Sequence, residues 1–292
     1  MGGATLAAVR TSYNRTRVSS SIPRRLIRER KWFLLPLYAV LRTSDLGREA
    51  IENSGSWRFA DHIYRGRPSG RFLVGTALDA LLLRLPAATS FRLRYLFVRR
   101  EIERRVPAIA ASGRSIRILS VPCGIPRDLA EAAAALRRRG GLPEAARFIG
   151  LDLDADALAA ARDLIEPLGV ADLFELTQGD AFEASPYPAP LDIVTCTGLG
   201  EFLDDQRLGT LLRIVHGTLA PGGVLLITAT GRHRPSAYLL RELAELRARS
   251  RGRDELVALL RQAGFGDVRA TTDPRGLQTF AVASKLEAAA PP

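Results

Sequence analysis

Apolar residues fall into two textures along the chain. Before about residue 112 they recur at helical spacing. Leu73, Ala77, Leu78, Leu81 and Leu82 mark one helix face, and Leu93, Leu96, Phe97, Ile102 and Val106 are interleaved with arginines over 92–106. Turn signals at Gly66-Arg67-Pro68-Ser69-Gly70 and at Pro86 interrupt this pattern. After Gly113, short apolar runs alternate with amphipathic stretches. Strands are expected at Ile116–Val121, Phe148–Leu153, Leu173–Leu176, Leu191–Thr197, Gly223–Thr230, Val268–Thr272 and Thr279–Ser284. The helices expected among them are Pro126–Arg139, Ala155–Leu168, Asp205–Leu219, Ser236–Ala248 and Arg253–Ala263. Strand–helix alternation at this spacing predicts an α/β fold: a doubly wound, mostly parallel seven-stranded sheet closed by an antiparallel C-terminal hairpin.

The pattern also divides the chain. Residues 1–31 read as a basic flexible tail, with eight cations and no acid before Glu29. Residues 32–112 read as a helical lid or domain, 113–286 as the α/β domain and 287–292 as a short tail. The longest apolar run, Trp32–Leu41, holds about ten residues and is broken by Pro36, whereas a bilayer span needs ~20. No transmembrane segment is therefore expected. With two cysteines, no disulfide framework and no signal peptide, the expected location is the cytoplasm.

Charge changes this picture only in the first third. Residues 1–112 carry 21 basic and 8 acidic side chains, a net +13, while the remainder carries 21 and 23, a net −2. Only Lys31 and Lys285 are lysines, a ratio better explained by a GC-rich genome than by a nucleic-acid surface. A solvated basic face is the favoured reading, and nucleic-acid or anionic-membrane contact the lesser one.

The chemistry-bearing residues lie where the expected parallel strands end. Ligands of doubly wound sheets bind outside the carboxyl ends of the strands, where the strand order reverses. After the first strand comes Ser120-Val121-Pro122-Cys123-Gly124-Ile125-Pro126, in which Gly124 lets the backbone approach a ligand. The same turn could be an ordinary tight strand-to-helix connection. The second strand ends in Gly150-Leu151-Asp152-Leu153-Asp154. Asp152 is placed to accept hydrogen bonds from ribose hydroxyls, and Asp154 to cap the next helix. After the third strand, Gln178-Gly179-Asp180-Ala181 offers an acid and an NH of the kind that read an adenine edge, or else forms a simple turn.

In this order, "ILSVPCG", "FIGLDLDADALAAAR", "LTQGDAF", "LDIVTCTGLGEFL", "LAPGGVLLIT" and "LLRQAGFGDV" resemble the successive motifs of the class I, Rossmann-like S-adenosylmethionine methyltransferases. The likeness covers Ile116 to Lys285. It implies S-adenosyl-L-methionine as cofactor, held by Val121, Pro122, Cys123, Gly124, Asp152, Leu153, Gly179, Asp180, Ala181 and Thr197. The sequence departs from the family at the first motif: Ser120 stands in place of the usual acid, and Pro122 and Pro126 in place of two glycines. An arginine of the helical region, Arg92 or Arg94, could then meet the cofactor carboxylate.

In-line transfer from a sulfonium needs mainly orientation, to which a general base adds. His233 and Glu201, on loops at the carboxyl edge, are the candidate bases; Tyr64 and Tyr238 are candidate pocket walls. No metal site is expected from three scattered histidines and two distant cysteines, and both Cys123 and Cys196 read as structural. No Asn/Asp-Pro-Pro-Tyr follows the fourth strand, which disfavours amino methylation of DNA bases. The expected function is transfer of a methyl group to an oxygen or nitrogen of a small-molecule acceptor. An RNA methyltransferase using the basic N-terminus and a catalytically silent S-adenosylmethionine-binding protein are the rival readings. The oligomeric state is not legible.

Overall fold

The computed structural model describes residues 21–53, 55–143, 145–231, 234–245 and 248–287. In chain order the helices are α1 (Ser21–Arg28), α2 (Leu35–Leu41), α3 (Asp45–Glu52), α4 (Trp57–Arg65), α5 (Phe72–Arg84), α6 (Pro86–Ala110), α7 (Arg127–Arg138), α8 (Ala155–Ile165), α9 (Asp205–Thr218), α10 (Arg234–Ala244) and α11 (Arg253–Gln262). The strands are β1 (Arg117–Ser120), β2 (Arg147–Asp152), β3 (Phe174–Gln178), β4 (Leu191–Cys196), β5 (Leu219–Thr230), β6 (Asp267–Thr272) and β7 (Gln278–Ser284). They belong to two compact units. The first holds the described residues up to Arg92 and those between His233 and Ala248; the second holds the rest.

In the second unit one seven-stranded sheet runs in the order β3-β2-β1-β4-β5-β7-β6. The pairs β3–β2, β2–β1, β1–β4 and β4–β5 are parallel, and β7 is antiparallel to both β5 and β6. The order reverses between β1 and β4, which makes the ends of those strands the topological switch point. Ile118, Leu119, Phe148, Leu151, Ile193, Val194 and Leu225 are all buried, as expected of parallel strands covered on both faces. Ala130 and Ala132–Ala134 of α7 are buried in one core cluster with Ile118, Phe148 and Ile193 of the sheet. Val98, Ile102 and Val106 of α6 join the same core.

Strand β2 needs its glycine: a Cβ on Gly150 would stand 2.7 Å from Leu176 Cδ2 and 3.0 Å from Cys123 Sγ. Strand β5 begins at Leu219, earlier than the hydrophobic run suggests. Pro221-Gly222-Gly223 is absorbed into it through a register shift opposite Leu191 and Ile193. Gly222 takes a left-handed φ of 74°, and the Gly223 carbonyl accepts the Lys285 NH.

The first unit is helical and is organised by one buried carboxylate. Asp79, on α5, accepts hydrogen bonds from Ser44 Oγ (2.6 Å), Leu46 NH (2.7 Å), His62 Nε2 (2.8 Å) and Ser69 NH (3.2 Å). Ser44 also N-caps α3, and Ser56 N-caps α4, which Gly66 ends in a left-handed conformation.

Residues 21–31, expected as a flexible tail, are folded. Ile22 and Leu26, one turn apart on α1, are buried with Leu34, Tyr38, Ile51 and Leu243. The i, i+4 apolar pair is hidden among arginines, which is why composition alone reads this stretch as tail. Glu242 on α10 accepts hydrogen bonds from Lys31 (2.8 Å) and Arg25 (3.2 Å), tying the two ends of this unit together.

Candidate functional site

The carboxyl edge of the sheet's parallel half collects the residues singled out by their order. Gly124 has φ 50°, a region that L side chains rarely adopt, so the turn after β1 depends on glycine. Its NH donates to Asp152 Oδ2 at 2.7 Å, while Asp152 Oδ1 accepts the Asp154 NH at 2.9 Å. Asp152 is therefore both the acid that ends β2 and the clamp that joins β2 to the glycine turn. Burial raises its pKa against the opposing backbone hydrogen bonds. Asp154 N-caps α8 through the Asp156 NH. At the end of β3, the Gly179 NH donates to the Asp152 carbonyl, and Asp180 Oδ1 accepts the Phe182 NH at 2.9 Å. Tyr187 closes this turn by donating to the Ala181 carbonyl at 2.8 Å.

The remaining residues of the turn serve through their backbones or as packing. The Val121 side chain is fully buried, its NH bonded to the Thr195 carbonyl, and the Cys123 NH is bonded to the Leu151 carbonyl. Val121 and Pro122 are joined by a cis peptide bond. Pro122, Leu153 and Thr197 follow their strand ends as partly exposed positions. Burial, and then the neighbouring Asp152 charge, pushes the Cys123 thiol well above its ordinary value. Burial pushes Cys196 up to about 12, with Glu201 adding to the effect. Both stay protonated at neutral pH and are poor nucleophiles.

A buried ion pair, which hydrophobic pattern could not reveal, joins α6 to the turn that follows β4. Arg94 and Glu201 side chains are 4 % and 8 % exposed, with Nη1 3.6 Å from Oε1, and Glu201 Oε2 is buried without a hydrogen-bond partner. Gly198 (φ 88°) makes room for this guanidinium, since a Cβ there would lie 3.0 Å from Arg94 Nη1. Arg251 fixes the same loop from the other side. It donates to the carbonyls of Gly200 and Leu203, each at 2.5 Å, and to Asp205. The one signal in the sequence is the spaced glycine pair of Thr197-Gly198-Leu199-Gly200.

The other candidates lie apart from this cluster in the chain's organisation. Tyr64, Arg92 and Tyr238 belong to the first unit. Tyr64 stacks on Phe91 with centroids 5.8 Å apart, Arg92 Nε donates to the Ile63 carbonyl at 3.0 Å, and the Arg241 guanidinium lies over the Tyr238 ring. His233 lies outside the described residues. Of the two arginines considered for a carboxylate, only Arg94 shares a unit with the glycine turn.

Asp128, in the first turn of α7, is a second buried acid near Arg94. Burial drives its carboxyl from 3.8 to about 6, against the Leu129 NH and the Arg94 charge. A raised folded-state value means that the folded chain binds the proton more tightly than the unfolded one. Stability from this group therefore falls as pH rises through the window from 3.8 to about 6. Asp128→Asn is expected to raise stability by up to about 2 kcal/mol at pH 7.5 and by far less at pH 4.5. Denaturant melts at the two pH values check this; an equal shift at both would contradict it.

Comparison with known proteins bears on the family and the fold. Residues 18–285 match the model of a family described as "Putative methyltransferase". The chain belongs to this methyltransferase family. Its fold is that of the class I S-adenosylmethionine-dependent methyltransferases. A structure from Bordetella parapertussis, described as a possible exported protein, superposes with a TM-score of 0.74 at 21 % identity, covering 92 % of this chain and 97 % of the other. The apo S-adenosylmethionine-dependent methyltransferase SibL superposes at 0.52 (20 % identity, 87 % and 76 % of the chains). Magnesium protoporphyrin IX methyltransferase of Synechocystis, with bound SAH, superposes at 0.51 (12 % identity, 77 % and 93 %). In sequence, an uncharacterized protein of Synechococcus is 30 % identical over 128 residues, 44 % of this methyltransferase; the match spans 27 % of that relative's length.

Proposed function

We propose that this methyltransferase uses S-adenosyl-L-methionine to methylate an oxygen or nitrogen atom of a small-molecule acceptor. One observation carries the reading: a buried carboxylate, Asp152, bridges the glycine turn after β1 and the end of β2 beside the topological switch point. The donor set suits the cofactor. The unpartnered, buried Glu201 Oε2 beside Arg94 offers complementary charges for an amino-acid end. Asp152 would accept from the ribose hydroxyls, Asp180 and the Ala181 NH would meet the adenine, and Gly124, with Val121, Pro122, Cys123, Leu153, Gly179 and Thr197, would line the approach.

When bound, the cofactor supplies an activated methyl sulfonium. This chain's residues then have three tasks: to hold the amino-acid and nucleoside ends, to orient the acceptor in line, and to exclude water. Orientation of this kind contributes up to ~7–11 kcal/mol. Glu201, paired with Arg94, fits cofactor positioning better than proton abstraction. His233 remains the candidate general base, worth ~10²–10⁴-fold where the acceptor must lose a proton. Tyr64, Arg92 and Tyr238 are candidates for acceptor contact.

The test is a mass-spectrometric search of cell extract incubated with the protein and the cofactor. A product heavier by one CH2 unit in the small-molecule fraction is expected. Methyl incorporation confined to RNA would replace the acceptor class, and no product in either fraction would contradict transfer.

A further inference from the structure

Among the described residues, ten of the thirteen exposed large apolar side chains lie between Ile27 and Leu85, all in the first unit. Three are consecutive at the start of α5: Phe72, Leu73 and Val74, exposed by 87 %, 89 % and 69 %. Trp32 and Phe33, just before α2, are 67 % and 58 % exposed, and Val40 at the end of α2 is also exposed. The two stretches adjoin. The Arg71 NH donates to the Thr43 carbonyl at 2.8 Å, and a Cβ on Gly75 would fall 2.2 Å from that same oxygen. Phe72 has φ 55°, a conformation that a bulky L residue rarely adopts, so the chain is held in a strained turn that leaves three apolar side chains in water. Scattered exposed apolar residues need no explanation, but three consecutive ones this exposed, next to a second stretch that also exposes large apolar side chains, mark an interaction surface.

We propose that this face of the first unit seats on the surface of an anionic lipid bilayer, through Trp32, Phe33, Val40, Phe72, Leu73 and Val74. Charge selects this occupant. Exposed Arg28, Arg30, Arg67 and Arg71 flank the apolar residues in the chain, and the intervening acid, Glu29, is engaged by Lys31 (2.9 Å) and Arg25 (3.3 Å). Apolar and Trp side chains rimmed by arginine match an acyl–headgroup boundary, whereas a second identical face would set like charges against each other. Seating is interfacial, because no single described helix is long and apolar enough to cross a membrane. The bent pair α5 and α6 passes that test only together, across a 65° break, and α6 has Val98, Ile102 and Val106 committed to the core of the second unit.

Co-sedimentation of the full chain with vesicles tests this proposal independently of the methyl-transfer reading. Partition onto phosphatidylcholine–phosphatidylglycerol vesicles is expected to exceed that onto phosphatidylcholine alone by about tenfold, and to fall as salt rises. The double variant Phe72→Ser/Leu73→Ser is expected to lose about tenfold in partition with an unchanged melting temperature, since both side chains lie outside the core. In a Trp57→Phe background, vesicles are expected to shift Trp32 emission to the blue. Equal partition of wild type and double variant would overturn the proposal. A dimer in sedimentation velocity that the double variant abolishes would also overturn it, assigning the face to a second copy.

Discussion

Asp152→Ala is expected to weaken binding of the cofactor and of its demethylated product by ~10–100-fold. In the proposed site up to two charge-assisted hydrogen bonds to ribose hydroxyls would be lost, each worth ~1.5–3 kcal/mol at most, and water would recover part of them. The structure adds a second consequence. Both oxygens of Asp152 also accept backbone NH groups, from Gly124 and Asp154, so the alanine leaves two donors unpaired at the glycine turn. Stability should fall by about 1–3 kcal/mol as well. Asp154→Ala separates the two effects: as the N-cap of α8 it should cost ~1 kcal/mol with little change in affinity. Calorimetry and denaturant melts on both variants check this. Loss of binding in Asp154→Ala with retention in Asp152→Ala would place the ribose contact on the wrong acid.

Asp79→Ala is expected to have the largest effect on stability, about 3–5 kcal/mol in the first unit. The carboxylate is fully buried and is the shared acceptor for Ser44, Leu46, His62 and Ser69, so its removal strands four donors that tie α3, α4 and α5 together. Burial alone would raise its pKa, but the hydrogen bonds from Ser44, Leu46, His62 and Ser69 outweigh burial and hold it below the ordinary value of 3.8. A depressed folded-state value stabilises the fold fully above pH 3.8, and that contribution is lost as the pH falls through the lower value. Asp79→Asn, which keeps one acceptor and the shape, should fall between. A thermal midpoint for Asp79→Ala equal to wild type would contradict this role.

The second unit was legible because its physics is local. Buried parallel strands read as short apolar runs, and their ends carry Gly124, Asp152 and Asp180 at intervals set by the strand–helix–strand repeat. What pattern could not supply came from tertiary partners. The Arg94–Glu201 pair joins positions far apart in sequence, and an arginine in an amphipathic helix looks the same whether it faces water or a buried carboxylate. The folded state of Ser21–Arg28 was hidden for the opposite reason: two apolar residues among cations are a weak signal, and they matter only because Leu34, Tyr38 and Leu243 cover them. Nothing in the periodicity of Arg234–Ala244 foretells that Leu243 and Glu242 pack with the N-terminal helices, because that grouping depends on Arg25 and Lys31 more than two hundred residues earlier. Asp79 likewise reads as a polar residue on an apolar helix until its four donors are placed around it.

The carboxyl edge beside β1 and β4 is the proposed cofactor site for methyl transfer. Titration calorimetry of the full chain with S-adenosylmethionine, its demethylated product and NAD tests it most directly. Micromolar binding of the first two, no heat with NAD, and a ~10–100-fold loss in Asp152→Ala are the results this structure predicts. Tight binding of NAD with no response to the demethylated product would contradict it.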